Sequence, residues 1–166
     1  MSRSGIGTRK VDKEHFVVGL PPRTPSTSTP DYVKLDNYNH LTVAILVDNG
    51  TTVTGSAITL KQATSAAGAG EKALSFSTMW ANIDIGASDT LVETAVTSDT
   101  FTTSTTNNKD LLYLIEVDAD DLDLANGFNW VRAGTADATS AVLSVLYILS
   151  GARYAGVPAN RATAIA

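Results

Sequence analysis

The strongest candidates for chemistry in this chain are carboxylates. Glu116-Val-Asp-Ala-Asp-Asp-Leu-Asp-Leu-Ala-Asn126 is its densest acidic segment. Oxygen-rich loops of this kind hold calcium when their spacing is right. Counted from Asp118, the fifth position of an EF-hand loop falls on Leu122, the sixth on Asp123 and the twelfth on Asn129, where the loop needs an oxygen ligand, a glycine and a glutamate. Alternation is the simpler account. Glu116 and Asp118 then face solvent at a strand end, and Asp120 to Asp123 occupy the first turn of a helix, where carboxylates suit the dipole.

Other constellations are thinner. Ala67-Gly-Ala-Gly-Glu-Lys72 has the glycines of a phosphate loop but lacks its Gly-Lys-Ser/Thr ending, and Glu71 would repel a phosphate. A nucleophilic serine or threonine needs a base beside it. The histidines are His15 and His40, and no Gly-x-Ser-x-Gly elbow is present. Trp80, Trp130, Tyr113 and Tyr147 have the chemistry to line a sugar site, although aromatics inside strand patterns are more often core. The expectation is a non-enzymatic chain with no cofactor and no metal.

The elements that would position these groups read as β-structure. His40-Leu-Thr-Val-Ala-Ile-Leu-Val-Asp48 alternates, with Leu41, Val43, Ile45 and Val47 on one face, and Asp48-Asn-Gly50 closes the strand. Further strands are expected at 57–62, 72–80, 91–97, 100–103, 111–117, 129–133 and 141–150. The last is nearly all apolar, as a strand buried on both faces would be. Asp120 caps a single helical turn, stopped by Asn126-Gly127. This series of short strands and turns predicts an all-β fold, an antiparallel β-sandwich of jelly-roll-like type.

Composition narrows the partners. Lys and Arg total 12 against 17 Asp and Glu, a net charge of -5, which disfavours nucleic acid as the main partner. There is no cysteine for a disulfide or thiolate site, in keeping with synthesis in a reducing cytoplasm. No apolar run reaches the ~20 residues that span a bilayer, and the basic N-terminus lacks the apolar stretch of a secretory signal. The charge is sparse, at 17% of residues, and the chain is rich in Thr, Ser, Ala and Gly, as β-structured assembly proteins often are.

Residues 1–30 are expected to lie outside the sandwich. Pro21, Pro22, Pro25 and Pro30 fall within ten residues, and proline removes a donor and fixes φ. The segment reads either as a solvated tail or as an arm that orders against a neighbouring subunit. The apolar cluster His15-Phe-Val-Val-Gly-Leu20 favours the arm. In that reading Phe16, Val17, Val18 and Leu20 anchor it in a groove, with Arg9, Lys10 and Arg23 against acidic patches. The sandwich would occupy residues 31–155 and a C-terminal tail residues 156–166.

Four segments together resemble a known group: Tyr38-Asn-His-Leu-Thr-Val-Ala-Ile45, Ala57-Ile-Thr-Leu-Lys-Gln-Ala63, Ile115-Glu-Val-Asp-Ala-Asp-Asp-Leu-Asp123 and Ile148-Leu-Ser-Gly-Ala-Arg-Tyr154. They resemble small structural proteins encoded among the head genes of tailed phages and prophages, over roughly residues 32–155 by eye. The resemblance implies a capsid cement or decoration protein. Such a protein would be made in the host cytoplasm, would bind the major capsid protein on the virion surface, and would contact its own copies there. It transfers no functional residues. A head–tail connector or tail component, and a carbohydrate-binding adhesin module, are the competing roles.

Overall fold

In the computed structural model of the chain, which describes residues 9–25, 29–153 and 163–165, strands make two antiparallel sheets packed face to face. They are β1 (His15–Arg23), β2 (Val33–Lys34), β3 (Tyr38–Asn49), β4 (Ala57–Ala63), β5 (Lys72–Ala73), β6 (Thr78–Asn82), β7 (Val92–Ala95), β8 (Thr100–Thr102), β9 (Lys109–Asp118), β10 (Trp130–Thr135) and β11 (Ala141–Ala152). The larger sheet runs β1-β11-β3-β9-β6-β7. The smaller runs β2-β10-β4-β5, with β8 also on β4. A one-turn helix α1 (Lys10–Lys13) precedes β1.

The core lies between the sheets and follows from the alternation. Leu41, Val43, Ile45 and Val47 of β3 point inward beside Leu111, Tyr113, Ile115 and Val117 of β9 and Leu143, Val145, Tyr147 and Leu149 of β11. Opposite them stand Ile58 and Leu60 of β4 and Val131 and Ala133 of β10. Each fully buried valine, leucine or isoleucine among them contributes about 1.5–3 kcal/mol relative to exposure. A few buried polar groups hold the loops at one end. Asn49 donates from Nδ2 to the carbonyls of Ser104 (2.8 Å) and Thr106 (3.0 Å), and the Ser56 N–H donates to Thr103 Oγ1 (2.9 Å).

Three sequence expectations change. First, residues 1–30 are not wholly an arm outside the sandwich. His15–Arg23 pairs antiparallel with β11 and forms an edge of the larger sheet. An edge strand tolerates Pro21 and Pro22 because one side of it has no ladder to complete. Second, the stretch 72–80 is two strands. Lys72–Ala73 joins β4, while Thr78–Asn82 joins β9 in the other sheet. The chain crosses between sheets at 74–77, where the N–H groups of Leu74 and Phe76 donate to the carbonyls of Leu60 and Ser98. Third, β11 is fully buried on one face only: its outward residues, from Val142 to Ala152, are half-buried or exposed.

The helical signal after Asp118 is met only in part: in place of one turn capped by Asp120 the chain makes two 3-10 turns, Ala119–Asp121 and Leu124–Asn126, with Asp118 and Asp123 at their N-cap positions, and Gly127 ends the second at φ 81°, a left-handed conformation that suits glycine. Of the expected C-terminal tail, only 163–165 lie within the described residues. Ala164 is buried there and accepts a hydrogen bond from the Lys34 N–H.

Candidate functional site

The two outer faces of the sandwich differ in chemistry. On the smaller sheet, outward residues are polar and tied to one another. Glu71 accepts from Tyr32, from Lys61 and from Arg132 (2.6 Å), and the Arg132 guanidinium lies 4.7 Å from the Tyr32 ring centre. The Lys61 hydrogen bond, followed by that of Tyr32, holds the Glu71 carboxyl below its usual range. Trp130 is partly buried, with the Lys34 ammonium 5.7 Å from its ring centre.

The outer face of the larger sheet carries an apolar band, with Thr42, Ser144 and Glu93 beside it. Strand register fixes which side chains stand side by side. Val18 of β1 lies opposite Leu146, Leu146 opposite Ala44, Ala44 opposite Leu114, and Leu114 opposite Trp80. This apolar row crosses five strands without interruption. At about 4.8 Å between strands it is roughly 19 Å long. Phe16 and Ile148 extend it on one flank, and Leu46 and Leu112 on the other. Phe16 is 43% exposed, Val18 54%, Leu46 46% and Trp80 38%, large values for apolar residues on a sheet. Isolated exposed leucines need no explanation, but a contiguous apolar face marks an interaction surface.

Acidic groups border this face at both ends. At one end His40 sits between Asp118 and Glu116: its Nδ1 is 2.7 Å from Asp118 Oδ1, and its Nε2 meets Glu116. Thr42 Oγ1 also donates to Glu116 (2.9 Å). Burial lowers the His40 pKa, but the hydrogen bonds to the two carboxylates outweigh it, and the net shift is upward. At the other end Asp48 and Asp110 lie directly opposite each other on β3 and β9.

The acidic segment thus disperses. Glu116 and Asp118 flank His40, and Asp121 accepts the Asp118 N–H at 2.9 Å. Asp123 pairs with Lys72 and with Asn126. Among the described residues no three acidic or histidine side chains are placed to share a metal ion. His15 is engaged with the Tyr38 hydroxyl at 2.9 Å. Trp80 and Trp130, the tryptophans considered for a sugar site, stand on opposite outer faces and cannot line one platform. Trp80 instead borders a cleft of about 480 Å³ shared with Phe76, Glu116 and Asp121.

The expected arm contacts divide in two. Val17 and Leu20 are buried in this chain's own core and are not available to a neighbouring subunit. Phe16 and Val18 alternate with them and belong to the exposed apolar face. Arg9 pairs with Asp12 (3.1 Å) and Lys10 with Glu14 (2.7 Å). Arg23 stands at the end of β1, opposite Leu143. The face itself was missed in the sequence. Its trace there was the weakly polar outer side of β3 and the nearly all-apolar run of β11.

No family model matches the sequence, and no curated protein matches it. Among solved structures, the chain is similar to the SPBc2 prophage-derived protein YomS, with 17% identity and a TM-score of 0.46, over 82% of this chain and 91% of that one.

Proposed function

We propose that this chain is a virion structural protein of a tailed phage: a non-enzymatic capsid cement or decoration protein that binds the major capsid lattice. The apolar outer face of the six-stranded sheet carries the reading. A two-layer sandwich needs its inner faces to fold, and an apolar outer face is suited to being covered by another protein. The four phrases that resemble phage head proteins support it. The order β1-β11-β3-β9 facing β2-β10-β4-β5 supports a jelly roll with β6 and β7 added at one edge, an architecture frequent in capsid proteins. Architecture alone does not assign a role, so the test is on particles. Heads of the encoding phage, stripped of this protein and incubated with it, should show added density across the shell by cryo-microscopy. Density confined to a single ring at the portal vertex would favour a head–tail connector, and absence from the particle would refute a virion role.

A further inference from the structure

The Asp48–Asp110 end of the apolar face has a specific shape. Val142, Asp48 and Asp110 form one cross-strand row, and Leu46 stands in the next row of the same face. With Ile85 and Pro22 these residues line a shallow depression of about 290 Å³. Its floor and sides are mostly apolar, with Ser144 opposite Leu46, and two exposed carboxylates stand at one end. Like charges directly opposite across a ladder are unfavourable, and neither carboxylate has a cation partner among the described residues. The nearby Lys109 is paired with Asp84.

We propose that this depression receives a lysine or arginine side chain presented by an apolar patch of the partner protein. The methylene stem would lie on Leu46, Val142 and Ile85, and the cationic head would reach Asp48 and Asp110. Long basic side chains bury their stems while keeping the charge at a polar edge, and a cation between the two carboxylates relieves their repulsion. Charge selects this occupant over a second copy of the chain, because copies packed face to face here would set carboxylate against carboxylate. The inference rests on the capsid reading and names the chemistry of the lattice surface that the protein meets.

Binding to stripped heads tests it. Leu46→Glu and Val142→Glu should each weaken binding about tenfold or more. Asp48→Asn with Asp110→Asn should weaken it about tenfold and flatten its salt dependence. Thr59→Glu, on the opposite sheet, should bind as wild type. These positions are exposed or partly so, and unchanged thermal unfolding would show that each variant folds. If wild type binds heads and the Leu46 and Val142 variants bind equally well, the depression is not the docking site and the capsid reading stands. If wild type does not bind heads, both fall. Sedimentation as a dimer that Leu46→Glu dissociates would assign the face to a second copy and overturn the basic-partner proposal.

Discussion

Gly19 of β1 lies against the ring of Tyr147 on β11. A Cβ at this glycine would come within 2.9 Å of Tyr147 Cζ and closer still to Cε2. The ring cannot move aside easily. Tyr147 is fully buried, its hydroxyl donates to the Asp31 carbonyl (3.0 Å), and it accepts from the Ala133 N–H (3.0 Å). One phenol thus ties the larger sheet to β10 of the smaller one and to the segment after β1. The ladder between β1 and β11 shifts register at this glycine, between Val18 and Leu20.

Gly19→Ala should therefore destabilise the fold by about 1–3 kcal/mol through overpacking. The urea midpoint should fall, and amide exchange in β1 should accelerate more than in β3. Stability equal to wild type would mean that β1 shifts without penalty.

Tyr147→Phe keeps the ring and removes its hydroxyl. The Ala133 N–H and the Asp31 carbonyl lose this partner, at a cost of about 1–3 kcal/mol. Burial raises the Tyr147 pKa above its usual value, so the phenol should resist ionisation in mild alkali. Ultraviolet difference spectra, compared with the Phe variant, would report it.

His40 makes part of the stability pH-dependent. Its folded pKa is raised above the unfolded value of about 6.5. The protonated form is thus favoured in the folded state. That contribution is complete below the unfolded pKa and is lost as pH rises through the folded pKa. His40→Asn should remove more stability near about pH 6 than near about pH 9. Urea unfolding at both values, with an NMR titration of the imidazole, would check the sign.

Removing residues through Arg23 should do more than trim an arm. It strips β1 from the edge, uncovers the backbone edge of β11, and deletes the buried Val17 and Leu20. A newly opened edge strand invites association. The truncated chain should unfold at lower temperature and aggregate, as light scattering would record. A monomeric product of wild-type stability would show that β1 is dispensable.

Much of the fold was legible locally. Alternation in β3, β4, β9 and β10 marks the inward residues because side-chain direction reverses at every position, and one face of a strand must be apolar to be buried. Gly127 reads as a helical stop because a left-handed backbone there favours glycine. The prolines at 21 and 22 misled, since proline excludes a central strand but not an edge. The stretch 72–80 misled too, because a run of β-favouring residues carries no mark of where a chain leaves one sheet for the other.

By itself, the sequence determined the β character, the inward-facing residues of the long strands and the turns between them, all of which depend on near neighbours. Only the tertiary structure decided that residues 15–23 close an edge of the sandwich, that the acidic segment is dispersed, and that Val18, Ala44, Trp80, Leu114 and Leu146 form one apolar row. The physical reason is register. Side chains on five strands become neighbours through backbone pairing between segments far apart in the chain, and no local pattern encodes which strand will lie beside which.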